Sequence, residues 1–272
     1  MEYLDFSKTK ALDCLGPEIE KYTKEMTEGE ILLLENLRFH KEEEENDLKF
    51  AKAISQLGDI YINDAFGACH RAHASIVGVP KYLPSGAGFL LEKEIKNLNQ
   101  LLEAPPKPMV TIIGGKKVET KAKLIDKILE ITDFLLIGGL IKREIEEKGI
   151  ILKYPEKIIK PLDSIGELGK ELDIGLKTIE LFKEKILRAK TVFWNGPLGL
   201  TEKKEFQRGT LEIAKVIIES KKFSVVGGGE TVEFLNKMNL TSEFTHVSTG
   251  GGAMLSYLAG DLLPGLQSLD KN

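Results

Sequence analysis

The chain reads as an α/β protein built on parallel sheet, in two halves joined by a helix, and three observations predict this. Short β-type runs alternate with helix-like segments along the whole length. Most of the runs are largely apolar, as buried strands covered on both faces are. Five of them stop at glycine. Val110–Ile113 ends in Gly114-Gly115, Phe134–Ile137 in Gly138-Gly139, and Thr191–Trp194 in Asn195-Gly196-Pro197-Leu198-Gly199. Phe223–Val226 ends in Gly227-Gly228-Gly229, and His246–Thr249 in Gly250-Gly251-Gly252. Bare backbone amides at helix N-termini suit a phosphate-rich ligand.

The elements follow in order. Pro17-Glu18 opens a helix over 17–27. Glu30–Leu34 is a buried strand. The run Glu42–Glu45 reads as a solvated face or a helix start. Leu48, Ala51, Ile54 and Leu57 put one apolar face on a helix over 46–57. Asp59–Asn63 is the next strand, and residues 80–86 read as a loop. A long helix over about 89–103 ends at Ala104-Pro105-Pro106-Lys107-Pro108, the best candidate for a domain boundary. Strands and helices then alternate to Leu258, and a short segment, Leu263–Leu266, lies beyond the final helix.

Composition narrows the function classes. Of 272 residues, 42% are hydrophobic and 29% charged, ordinary for a globular protein. A net charge of -4 supplies no basic field for nucleic acid or an anionic membrane, and neither partner is expected. Cys14 and Cys69 do not make a disulfide framework, so a reduced, cytoplasmic setting is expected. Neither a signal peptide nor a membrane span is expected.

The side chains beside the glycine turns carry the chemistry. Lys117 and Lys121, four apart after Gly114-Gly115, share a helix face, and the dipole opposes both at a helix start. A bound phosphate explains the pair; an exposed basic helix is the plain alternative. Glu202, after the Asn195–Gly199 turn, is placed to accept from a ribose hydroxyl or to act as a capping acid. Glu230 and Thr231 open a helix, where the carboxylate is a candidate Mg²⁺ ligand or a favourable N-terminal acid. Neither a Walker A loop nor a dinucleotide fingerprint is present. In the first half, Arg38 and the cluster His70-Arg71-Ala72-His73 follow strands. Arginine suits phosphate and carboxylate through its planar fork. His73 and His246 carry no assigned role.

Taken together these stretches resemble the phosphoglycerate kinase family. Leu32-Leu33-Leu34-Glu35-Asn36-Leu37-Arg38-Phe39-His40, Asn63-Asp64-Ala65-Phe66-Gly67 and His70-Arg71-Ala72-His73-Ala74-Ser75 carry the first half of the resemblance. Gly86–Glu94, Leu172-Asp173-Ile174-Gly175, Trp194-Asn195-Gly196-Pro197, Gly227-Gly228-Gly229 and Val247–Ala253 carry the rest, in the family's order. The resemblance implies two doubly wound, Rossmann-like parallel-sheet domains joined by a hinge helix. Residues 1–92, with the tail 260–272, would form a triose-phosphate domain, 93–104 the hinge, and 105–259 the Mg-nucleotide domain. It implies phosphoryl transfer between 1,3-bisphosphoglycerate and ADP, giving 3-phosphoglycerate and ATP, with Mg²⁺ accompanying ADP or ATP. Domain closure would join the two substrates.

Carried over by position, Arg38, Arg71 and His70 are the triose contacts. Lys117, Lys121, Gly228 and Gly251 are the catalytic set. Gly115, Lys121, Asn195, Pro197, Glu202, Gly227, Gly228, Gly229 and Thr231 meet the nucleotide, and Glu230 the metal. Three departures stand out. The family's V-D-F-N-V-P and S-H-L-G-R-P stretches are absent, so the N-terminal domain is expected to be incomplete, with a separate N-terminal fragment as a candidate partner. The segment from Gly139 to Asp173 is short, and Lys116 and Glu230 stand where alanine and aspartate are usual. A catalytically impaired fragment or a non-catalytic nucleotide-binding module is the alternative reading.

Overall fold

The structure is a computed structural model, and it describes residues 8–116, 118–166 and 170–270. The chain divides into two compact units, Met1–Leu91 with Leu262–Asn272 and Glu92–Asp261.

In the first unit, β1 (Lys8–Lys10) is followed by α1 (Pro17–Glu25) and β2 (Ile31–Leu33), which pairs parallel with β1. Helix α2 (Lys41–Glu44) and helix α3 (Leu48–Ser55) come next. Asp47 caps α3, its carboxylate accepting from the amides of Lys49 and Phe50 at 2.8 Å each. Strand β3 (Tyr61–Asn63) pairs parallel with β4 (Ser85–Ala87). The expected loop over 80–86 therefore runs into a strand. Its residues, Ser85-Gly86-Ala87, carry no β-type signal, and pairing with β3 makes the element. A small core of Cys14, Phe50, Ala51 and Ala74 holds this part together. Ile31, Leu33 and Ile62 on the two strand pairs are exposed, which corrects the expectation of a buried strand over 30–34: β2 pairs only with β1.

Helix α4 (Phe89–Glu103) leads into the second unit, which alternates strand and helix. Its elements run β5 (Met109–Ile113), α5 (Glu119–Ile131), β6 (Phe134–Ile137), α6 (Gly139–Glu147) and β7 (Ile158–Ile159). A small antiparallel pair, β8 (Ser164–Ile165) and β9 (Asp173–Ile174), precedes α7 (Leu176–Arg188) and β10 (Thr191–Asn195). Helix α8 (Arg208–Glu219), β11 (Phe223–Gly227), α9 (Gly229–Lys237), β12 (His246–Val247) and α10 (Gly252–Leu258) complete it. The short α11 (Pro264–Gln267) belongs to the first unit, where the Gly265 amide donates to the Cys69 carbonyl at 2.9 Å.

Six parallel strands form one sheet in the order β12-β11-β10-β5-β6-β7. Every residue of β5 and β10 is buried, which is why both are mainly apolar, with Thr111, Thr191 and Asn195 the buried polar exceptions. One face carries Val110, Ile112, Val192, Trp194 and Val226. Against it pack Ile179, Phe182 and Ile186 of α7 and Ile213, Ala214 and Ile217 of α8, spaced at helical intervals. The chain winds outward from β5 to β7, returns to place β10 beside β5, then winds the other way. The β5–β10 junction is thus the switch point, where open sheets of this kind bind ligands beyond the strand C-termini.

Candidate functional site

At that switch point the two glycine turns are stitched to each other. The Gly114 amide donates to the Asn195 carbonyl at 2.9 Å, and the Gly115 amide to the Pro197 carbonyl at 2.7 Å. A Cβ on Gly114 would lie 2.1 Å from the Pro197 oxygen, and one on Gly196 2.2 Å from the Gly114 oxygen. Trp194 Nε1 donates to the Gly196 carbonyl at 2.8 Å. These amides are consumed internally, which corrects the expectation of bare donors here. Gly115 borders the cleft with its missing side chain rather than with its N–H.

Lys121 is buried beside this seam, and its Nζ donates to the Gly114 carbonyl at 2.6 Å. Burial pulls the ammonium down to about 8, opposed by the negative charges of Glu230 and Glu144. Lys116 is exposed and borders the cleft, whereas Lys117 lies outside the described residues.

The facing wall is the start of α9. Gly228 has φ +97° and turns the chain from β11 into the helix, whose first amides have no intrahelical partner. The Asn195 amide group donates to the Gly227 carbonyl at 3.2 Å. Glu230 is exposed in the first turn. Thr231 is fully buried, and its Oγ1 has no hydrogen-bond partner among the described residues. Lys121, Asn195, Pro197, Glu230, Thr231 and the glycine turns border a cleft of ≈ 390 Å³. A narrower cleft next to it, toward Gly138 and Leu198, is bordered by Glu202 and again by Glu230. Gly251 has open space where a Cβ would stand, but the Gly250 amide is held by Ser248 Oγ at 3.1 Å.

Two carboxylates not singled out for the site support these turns. Glu94 of α4 is fully buried, 2.8 Å from His246 Nε2. It also accepts from the Thr249 amide at 2.6 Å and the Thr249 hydroxyl at 2.9 Å. Burial raises its pKa, but the bonds from His246 and Thr249 outweigh that and hold the carboxyl below its usual range. Its sequence signal is its place in the buried stripe Leu91, Glu94, Leu98, Leu101, an acid within an apolar helical face. Asp173 accepts from the Gly209 amide at 2.9 Å and the Ile174 amide at 2.8 Å. Burial pushes it up to about 6 against those bonds. A Cβ on Gly199 or Gly209 would stand 2.3 or 2.4 Å from its carboxylate, and the turn itself is tied to α8 by the Leu198 and Gly199 amides donating to Thr210 Oγ1 at 3.0 and 3.3 Å.

In the first unit Arg38 is exposed on a short turn, Leu37–Phe39, started by Asn36, whose Oδ1 accepts from the Arg38 amide at 3.1 Å. Arg71 Nε donates to His70 Nε2 at 3.4 Å. Burial lowers the His70 pKa, and the charges of Arg71, His73 and Arg38 lower it further against a bond to Gly67. The four residues therefore share one electrostatic neighbourhood. Glu43 is not solvated as the run of four acids suggested. It is buried, accepting from the Ser75 amide at 2.8 Å and the Ser75 hydroxyl at 2.5 Å, with His73 Nδ1 at 3.8 Å. Helix α2 turns this one acid inward while Glu44 and Glu45 stay exposed.

A family model described as phosphoglycerate kinase matches residues 2–146 and 144–261. The chain belongs to the phosphoglycerate kinase family. A phosphoglycerate kinase of Borreliella afzelii is 41% identical over 300 residues, covering 95% of this chain and 76% of the relative. One from Leptospira biflexa is 43% identical over 296 residues, covering 94% and 75%. The crystal structure of phosphoglycerate kinase from Pyrococcus horikoshii OT3 superposes with a TM-score of 0.85 at 32% identity, covering 97% of this chain and 78% of that one. As a phosphoglycerate kinase homologue the chain is a glycolytic phosphotransferase acting on small molecules. Among the described residues no helix is long and apolar enough to cross a membrane.

Proposed function

We propose that the cleft of the second unit binds Mg-ADP or Mg-ATP, and that Arg38, His70 and Arg71 bind 3-phosphoglycerate or 1,3-bisphosphoglycerate. The reaction is 1,3-bisphosphoglycerate + ADP = 3-phosphoglycerate + ATP. The observation that carries the nucleotide half is a buried lysine and an unpartnered buried hydroxyl facing one cleft at a helix start. An ammonium without a buried counter-ion is costly until an anion arrives. A phosphate oxygen supplies that anion and also accepts from Thr231 Oγ1. The oxygen donor of Glu230, open to solvent beside Thr231, fits a hard cation. When bound, Mg²⁺ neutralises and orients the nucleotide phosphates.

Lys121 then follows the transferring phosphoryl group, while Gly227, Gly228, Gly229 and Gly251 let backbone approach it. Asn195, Pro197 and Gly115 border the nucleotide, Glu202 serves the ribose, and Lys117 is assigned from its motif alone. Residues 1–92 with 260–272 form the triose part, 93–104 the link and 105–259 the nucleotide part; the two compact units support this division. The unpaired buried cysteines support a reducing, cytoplasmic setting. Calorimetric titration with Mg-ADP, followed by a coupled assay with 3-phosphoglycerate and Mg-ATP, tests the proposal. Mg-ADP binding that weakens in Lys121→Met, and turnover by the parent chain, are expected; absence of Mg-ADP binding overturns the nucleotide assignment.

A further inference from the structure

A second cluster of ligating side chains lies in the first unit, outside the residues proposed above for phosphoryl transfer. His40 Nε2 and Asp13 Oδ1 are 2.7 Å apart. One oxygen of Asp13, the sulfur of Cys14 and a ring nitrogen of His40 all lie within 4.8 Å of one another. The sulfur belongs to the small core, with Cys14 only 1% exposed, whereas the side chains of Asp13 and His40 are 53% and 33% exposed. We propose that Asp13, Cys14 and His40 form a binding site for a zinc ion, with its fourth position open to solvent.

The donor set selects the metal. Thiolate, imidazole and carboxylate together suit Zn²⁺, and a thiolate is a poor ligand for Mg²⁺ or Ca²⁺. Bond lengths of about 2.0–2.3 Å around one tetrahedral ion put the donor atoms roughly 3.3–3.8 Å apart. Opening the 2.7 Å His40–Asp13 contact and drawing the donor atoms, now within 4.8 Å of one another, onto one ion reaches that spacing, and the exposed sides of Asp13 and His40 leave room for it. The backbone already draws the ligands together. The Cys14 amide donates to Asp13 Oδ1 at 2.6 Å, and the Glu35 amide donates to the Asp13 carbonyl at 3.4 Å, on the segment that leads to His40. Burial and the Asp13 carboxylate push the Cys14 thiol up to about 11, so the free cysteine holds its proton. Zinc replaces that proton: the S–H bond breaks, a Zn–S bond forms, and one proton leaves to solvent with no change of oxidation state.

Equilibrium dialysis of the metal-free chain against zinc, in excess Mg²⁺ to mask the nucleotide cleft, tests the site. One zinc per chain is expected, with a rise in Tm. Cobalt in its place should show a thiolate-to-metal charge-transfer band. Cys14→Ser should abolish that band. The variants His40→Gln and Asp13→Asn, at partly exposed positions, should each weaken zinc binding at least ~10-fold. No retained zinc, or zinc binding that is unchanged in both His40→Gln and Asp13→Asn, overturns the proposal.

Discussion

The turns after β5 and β10 and the turns after β11 and β12 look alike in sequence and do different work. At the first pair, backbone meets backbone: Gly114 and Gly196 leave no room for a Cβ, and the Gly114 and Gly115 amides are spent on backbone carbonyls. At the second pair, Gly229 and Gly251 have nothing within 4 Å of an added Cβ, and α9 presents unpaired amides. One pair holds the sheet's switch point shut, and the other leaves it open to a ligand. Glycine richness at strand ends is therefore two signals: packing where the neighbour is backbone, and access where it is solvent.

The comparison breaks most directly at Gly114. Gly114→Ala sets a methyl against a carbonyl that cannot swing away, and a loss of about 3 kcal/mol in urea unfolding is expected. Lys121→Met comes next. Turnover should fall ~10²-fold, as when one preorganised charge donor is removed, while the unliganded protein gains on the order of 1 kcal/mol from losing a buried charge. The sign with pH follows. The folded lysine titrates near 8, below the usual 10.5, so the unfolded chain holds more protons between those values and stability rises with pH across them. Melts of Lys121→Met should lack that rise.

Glu94→Gln weakens the support of the open side. Loss of charge-assisted bonds to His246 and Thr249 should cost about 1–2 kcal/mol by thermal or urea unfolding. The smallest effect on folding is expected at Gly229→Ala, within ~0.5 kcal/mol of the parent, yet its methyl enters the ligand's space and Mg-ADP affinity should drop in calorimetry. A large loss of stability at Gly229, or none at Gly114, would undo the distinction between the two pairs.

Much of the fold was legible. Helix α4 runs over 89–103 as expected, stopped by the proline cluster, and β5, β10 and β11 begin or end within one residue of their expected runs. These elements are set by local periodicity and by residues that stop helices. Strand β4 was not legible, because Ser85-Gly86-Ala87 becomes a strand only by pairing with β3. Glu43 looked solvated among its acidic neighbours, since only Ser75 and His73, distant in sequence, reveal why it is buried.

By itself the sequence determined the alternation of strands and helices, the glycine turns at their ends, and the residue types gathered there. These depend on neighbours within a few positions along the chain. The tertiary structure alone decided which turns close on each other, that Lys121 loses its water beside Gly114, and that Glu94 disappears beneath Thr249. Burial and amide pairing depend on atoms that only folding brings within a few ångströms, and a linear pattern does not contain those distances.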